Sequence, residues 1–333
     1  MTRFLTFAIS FILFSITTYS QNGEKVFRFL NLPTSTHVNA LGGNNVSIID
    51  NDISLVFHNP ALLGDEMNMN VNVNYMSYFG DIGSGSMIFG KSINPISSFA
   101  VGVNYIDYGD FKRMTAENIE QGTFSGKDWV LNGVYSRDLT RYLRGGVTAK
   151  FIYSSYDEYS SVGIGFDVGL SYYNEDKSFS AGLALKNVGT QLSAFNEERV
   201  RLPWDVQLGL TKRIKNSPLR VSLTGIYLSQ WNFEKIDEAN GLEKSDDNFT
   251  KTLFKHLVIG LDLLPSENMW LGVGYSPKAH SDMKLTEGNK WGGWNFGAGI
   301  RVKRYNVGFS LSQYHPSATS YHFSFSMDLS RMW

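Results

Sequence analysis

Apolar and polar residues alternate one by one along long tracts of this chain. In 67–75, MNMNVNVNY, Met67, Met69, Val71, Val73 and Tyr75 fall on one face of an extended segment, and Asn68, Asn70, Asn72 and Asn74 on the other. Successive side chains of a strand point to opposite faces, so such a segment has one apolar and one polar side. The pattern recurs to the end of the chain. Phe99, Val101, Val103 and Tyr105 oppose Ser98, Gly102 and Asn104; Val162, Ile164, Phe166, Val168, Leu170 and Tyr172 oppose Gly163, Gly165, Asp167, Gly169 and Ser171. Tyr321, Phe323, Phe325, Met327 and Leu329 oppose His322, Ser324, Ser326 and Asp328. The alternation predicts about fourteen strands, near 67–78, 85–92, 97–108, 128–137, 143–153, 161–173, 179–188, 204–213, 219–228, 254–264, 269–276, 294–302, 305–314 and 320–329.

Strands of about ten residues, apolar on one face and polar or glycine on the other, are what a transmembrane antiparallel β-barrel requires. The connections support it. Those near 94–95, 138–142, 174–178, 214–218, 265–268 and 303–304 are short, whereas 109–127, 189–203, 231–253 and 277–293 are long and carry much of the charge. Long and short connections alternate, as when one barrel end faces the periplasm and the other the outside. Three outside connections, 79–84, 154–160 and 315–319, break the rule by being short. Tyr78, Tyr108, Trp129, Tyr153, Trp204 and Trp294 near strand ends suit interfacial aromatic girdles. A secreted β-sandwich or propeller would have shorter strands and no alternation of loop length.

Residues 22–67 do not alternate. Thr34, Ser35 or Thr36 is placed to cap a helical turn that Gly42 and Gly43 would end, and Asn59-Pro60 is turn chemistry. The segment is nonetheless apolar enough (Val46, Ile48, Leu55, Val56, Leu62, Leu63) to pack inside something. Glycines on the polar face, among them Gly163, Gly169, Gly182, Gly274, Gly297 and Gly308, leave room within a barrel too wide for its own side chains to fill. Residues 21–66 are therefore expected to form an N-terminal plug, or hatch, in the lumen of a barrel spanning 67–333. Residues 1–20, with Arg3 before an apolar run and Thr18 and Ser20 at cleavage spacing, read as a signal peptide. The terminal aromatic Trp333 also suits an outer-membrane barrel.

Composition narrows the chemistry. The 333 residues carry a formal net charge of −1 and no cysteine. That gives no support to a nucleic-acid partner and excludes disulfides, thiolate metal sites and a cysteine nucleophile. The six histidines are not paired at metal-ligand spacing, and His256 and His322 are expected to face the lumen. His315 beside Ser317 lacks the glycine-flanked serine of a hydrolase elbow, and Gly83-Ser-Gly-Ser86 matches one only superficially. Asp50, Asp52, Asp246 and Asp247 read as solvated acids, and Gly163-Ile-Gly165 precedes no helix and is not a phosphate loop. No catalytic residue, metal ligand or cofactor is expected.

Two motifs point to a family. Ala40, Leu41, Gly42 and Gly43, followed by Asn59, Pro60 and Ala61 ahead of the strands, resemble the plug segment of the FadL-like barrels. Those barrels import hydrophobic solutes. Within that group, Phe29-Leu-Asn-Leu-Pro-Thr-Ser35, Val46-Ser-Ile-Ile-Asp50 and Gly297-Ala-Gly-Ile-Arg-Val-Lys303 look most like the PorQ-type barrels of the type IX secretion system of Bacteroidetes. That resemblance implies a non-enzymatic outer-membrane component with both termini periplasmic. It would hold a PorZ-like surface protein in the attachment complex, with the PorU sortase and PorV, that links cargo to lipopolysaccharide. The alternative is a FadL-like channel for hydrophobic solutes. Sidedness then makes the outside loops the partner-binding candidates, through Phe111, Lys112, Arg113, Trp231, Phe233, Lys278 and Trp291.

Overall fold

The computed structural model describes residues 27–115, 119–195, 200–231, 233, 248–283, 291–315 and 318–332. The expected signal peptide, Glu234 to Asp247 and Trp333 lie outside the described residues. Fourteen strands close into one antiparallel barrel in which each pairs its sequence neighbours and the last pairs the first. They are β1 Asn70–Ser77, β2 Gly83–Asn94, β3 Ser97–Met114, β4 Glu120–Asp138, β5 Leu143–Tyr156, β6 Tyr159–Asn174 and β7 Phe179–Ser193. The second half comprises β8 Asp205–Arg213, β9 Leu219–Gly225, β10 Leu257–Ser266, β11 Met269–Tyr275, β12 Trp294–Val302, β13 Tyr305–His315 and β14 Ala318–Asp328. The closing seam pairs Asn70 with Asp328 and Val73 with Phe325. Every predicted strand has its counterpart.

Polarity is inverted relative to a water-soluble protein. Phe323 on β14 is 51% exposed, whereas the adjacent His322 is 3% exposed. Along β6, Phe166 and Val168 face out and Asp167 faces in. An apolar outside and a polar inside require a hydrocarbon solvent around the wall. No helix among the described residues is long and apolar enough to cross a membrane.

The wall is uneven. β3 and β4 run 18 and 19 residues, whereas β9 and β11 run 7 each. The stretch 109–127, expected as a long loop, is mostly a continuation of these two strands: Phe111 pairs Phe124 and Lys112 pairs Thr123. Gly109, with φ +74°, looks like turn chemistry in sequence but lies where the register shifts between Asp107 and Asp110, and the ribbon continues past it. β8 pairs β7 only as far as Lys186 opposite Asp205. Beyond that point Asn187 adopts φ +56°, and β7 continues on β6.

Residues 27–69 lie against the inward face of this wall. They form a helical turn, Thr36–Ala40, and short 3-10 turns at Arg28–Asn31, Ile53–Phe57, Pro60–Leu62 and Asp65–Met67. Ser35 caps the first through Val38 N (3.4 Å), Asp52 caps Ile53–Phe57 through Ser54 N (3.0 Å), and Asn59 caps Pro60–Leu62 through Ala61 N (3.0 Å). Val38, Val46, Ile48, Ile53, Leu55 and Val56 are fully buried. Sequence alternation extends β1 back to Met67, but the strand begins at Asn70. Met69 has φ +54°, and Met67 turns inward onto Ile53 and Ile88. His256 is buried as expected, but it ends the helix Phe249–Lys255 and does not stand on a strand. Of the inward apolar residues Ile226, Leu228, Val130 and Val134, all but the half-buried Leu228 are buried.

Candidate functional site

The functional geometry available here is the seat of the lumen segment on the wall, together with the outer loop surface. Ala40, Leu41, Gly42 and Gly43 make a corner pressed on β10 to β12. A Cβ on Gly274 would lie 2.1 Å from Leu41 C and Gly42 N, and one on Gly297 would lie 2.6 Å from Ala40 Cβ. Gly42 and Gly43 themselves adopt φ +100° and +87°, which residues with a Cβ rarely take. Polar bonds lock the corner. Asn39 Nδ2 donates to Ser310 Oγ (2.9 Å) and Ser312 Oγ (3.3 Å), and Asn295 Nδ2 donates to Asn39 O (2.9 Å).

Asn59, Pro60 and Ala61 sit across the lumen on β5 and β6. Asn59 Nδ2 donates to Val46 O (2.8 Å) and to Leu170 O of the wall (3.3 Å). Pro60 fills the space left by Gly146. Ser180 and Ser136 of the wall donate to Ser47 O and Leu63 O, each at 2.6 Å. The two motifs singled out in sequence are therefore both contact points between segment and wall.

A charged cluster completes the seat. Asp262 on β10 accepts from Arg220 Nε on β9 (2.8 Å) and lies 2.9 Å from His37 Nε2. His37 stacks on Trp270 at 3.9 Å between ring centroids. Asp50 of the segment lies 3.6 Å from His37, 3.8 Å from Arg220 and 3.9 Å from Arg301. A polar cavity of about 230 Å³ opens beside the cluster towards the turn between β10 and β11. Asp52, also against this cavity, has its carboxyl raised by burial, against the two hydrogen bonds from Ser54 that lower it. Inward charges are readable from strand alternation, but which of them meet depends on register and on the path of the segment.

Of the outer-loop residues, Phe111 stacks on Phe124 (5.4 Å) and Lys112 pairs Glu120 (2.9 Å) within the extended β3–β4 ribbon, while Arg113 of that ribbon pairs Asp157 in the turn between β5 and β6. Trp231 is exposed and lies parallel to Phe249, and Trp291 is 67% exposed. Phe233 and Lys278 turn inward: both are buried, with the Lys278 ammonium 5.2 Å above the Phe233 ring. The alternation that orients strand residues does not exist in loops, so sequence gave no sign of this. Among the described residues no three His, Asp or Glu side chains gather as metal ligands.

No protein-family model matches the chain, and no curated protein matches it. Solved structures do. The toluene transporter TbuX of Ralstonia pickettii superposes with a TM-score of 0.54 at 12% identity, covering 91% of this chain and 100% of that one. The toluene transporter TodX of Pseudomonas putida gives 0.53 at 12% identity, over 89% of this chain and 96% of that one. The monoaromatic hydrocarbon channel CymD gives 0.54 at 11% identity, over 89% and 97%. At these identities the likeness is one of fold. The chain shares the barrel fold of these solved structures, here closed by fourteen strands.

Proposed function

We propose that this protein is a non-enzymatic outer-membrane barrel that anchors a surface protein, with its lumen closed by its own N-terminal segment. The observation that carries this reading is the packing of that segment. Backbone lies against inward glycines on both sides of the lumen, at Gly274 and Gly146, and two buried clusters join residues of the segment to residues of the wall. A plug held this way suits a scaffold. The exposed Phe111, Trp231 and Trp291 at the opposite end from the short turns offer the partner surface. On the PorQ-type resemblance the partner is a PorZ-like protein, with PorU and PorV, in the type IX attachment complex. The periplasmic placement of both termini belongs to the same reading.

A second reading, a channel for hydrophobic solutes, is favoured by the fold comparisons, whose neighbours are named as toluene and monoaromatic hydrocarbon transporters. Those comparisons favour the channel over the anchor. The anchor is preferred because likeness at 12% identity reaches the fold and not the cargo. Purification of the tagged barrel from detergent-solubilised outer membranes, with mass spectrometry of proteins and extracted lipids, decides between them. Stoichiometric recovery of a large soluble surface protein supports the anchor. A barrel recovered alone with hydrocarbon or acyl chains supports the channel and removes the anchor.

A further inference from the structure

A second, smaller cavity of about 40 Å³ lies between the lumen segment and the wall, bounded by Thr34 and His58 on one side and by Asn132, Lys150 and Lys186 on the other. Its polar groups are unusual. His58 is 3% exposed, and neither ring nitrogen has a hydrogen-bond partner. Thr34 Oγ1 is also buried without a partner. Lys186 is 6% exposed and makes no hydrogen bond or ion pair with any described residue. The other lysine is satisfied: Lys150 Nζ lies 2.7 Å from Asp167 and 2.6 Å from Asn187 Oδ1. Asp205 stands opposite Lys186 in the register; its Oδ2 accepts from Gln207 Nε2 (2.9 Å) and Tyr227 N (3.1 Å), its Oδ1 is buried without a partner, and it does not border the cavity.

Buried polar groups are normally bonded, and a buried ammonium without a partner is costlier still. The space can hold about three water-sized species, since each needs roughly 10–15 Å³ of such volume. We propose that this cavity is a binding site for a small inorganic monoanion of halide size, held by Lys186 from the wall and by His58 and Thr34 from the lumen segment. The donor set fits. Lys186 brings an ammonium, Thr34 a hydroxyl and a neutral imidazole one N–H. Burial, with Lys186 and Lys150 nearby, keeps the His58 imidazole well below its usual protonation range, so the positive charge in the pocket comes from the lysines. Asp167 and Asp205 act on Lys186 only from beyond ion-pair distance, and water would satisfy the hydrogen bonds without placing a negative charge in contact with its ammonium. An anion does both and ties the segment to β7.

The test uses the full barrel purified in detergent. Crystals soaked in bromide should show an anomalous peak within hydrogen-bond reach of Lys186 Nζ and His58. Thermal unfolding at constant ionic strength should rise with chloride over gluconate by roughly 3 °C and saturate, as for a ligand that binds only the folded state at about ten times its Kd. Lys186→Met should abolish the halide dependence. Water alone at the position in saturating bromide overturns the proposal, and so does the head group of a bound lipid there. Unfolding indifferent to halide in the wild-type barrel, or halide dependence that survives in Lys186→Met, overturns it too. The bromide experiment on wild-type protein keeps the proposal refutable if Lys186→Met does not assemble.

Discussion

Replacing Gly274 by alanine puts one methyl group into the tightest contact between segment and wall. The added Cβ would lie 2.1 Å from Leu41 C and Gly42 N, where ordinary contact begins near 3.4 Å. One of the two backbones must retreat by about 1.3 Å. Neither is free to do so. β11 is held by ladders on both sides, and the corner is pinned by four Asn39 hydrogen bonds to β12 and β13, the fourth donated by Tyr314 to Asn39 Oδ1. Overpacking costs about 1–3 kcal/mol, and each hydrogen bond lost as the corner lifts adds about 1 kcal/mol. The expected destabilisation is therefore about 3–5 kcal/mol. Gly133→Ala is the control, because on the outer face of β4 its new methyl meets nothing within 4 Å. Urea unfolding of the refolded barrel in lipid vesicles, with equal slopes and shifted midpoints, reads the difference. A Gly274→Ala barrel as stable as Gly133→Ala would refute the claim that backbone contact seats the segment.

Arg220→Met leaves Asp262, 1% exposed, with His37 as its remaining partner and should cost about 3–5 kcal/mol. The double change Arg220→Met with Asp262→Leu should recover most of that in the same urea assay. Phe166→Arg, on the outer face halfway along β6, should cost about 2–4 kcal/mol in bilayers if that face meets hydrocarbon. A neutral result would contradict the membrane assignment of that face. Deleting 231–253 should leave the barrel assembled and heat-resistant on gels while reducing recovery of the co-purifying surface protein. Unchanged recovery would move the partner contact to the β3–β4 ribbon or to Trp291.

Strand faces were legible because alternation is a local property. Phe166 and Asp167 are assigned opposite sides by position alone, and the structure places them so. Strand ends were less legible because glycine and asparagine serve both turns and bulges. Gly109 bends a continuing ribbon, and Asn187 marks where β7 leaves β8. In the lumen segment, caps such as Ser35 and Asn59 could be anticipated, since capping is also local. The path across the barrel could not. It depends on Asn39 meeting Ser310, some 270 positions away, and on Asn59 meeting Leu170 of β6. The burial of Phe233 and Lys278 was hidden for a similar reason: no periodic backbone orients them.

The anchor and the channel differ in whether the segment must move, and the absence of cysteine from all 333 residues makes that testable. A Cβ built on Gly308 of β13 would lie 3.6 Å from Thr36 Cβ, within the roughly 3.5–4.5 Å spanned by disulfides. Ser324 Oγ, 2.5 Å from that position, would have to rotate away. Thr36→Cys with Gly308→Cys should therefore cross-link the first helical turn of the segment to the wall, and export to an oxidising compartment should form the bond. An anchor needs no movement there, so the oxidised barrel should retain its surface partner as well as the reduced one. A channel opened by displacing the segment should lose uptake of hydrophobic solute when oxidised and regain it on reduction. Loss of partner with unchanged uptake would contradict both readings, because it would make the segment itself the moving part of the attachment surface.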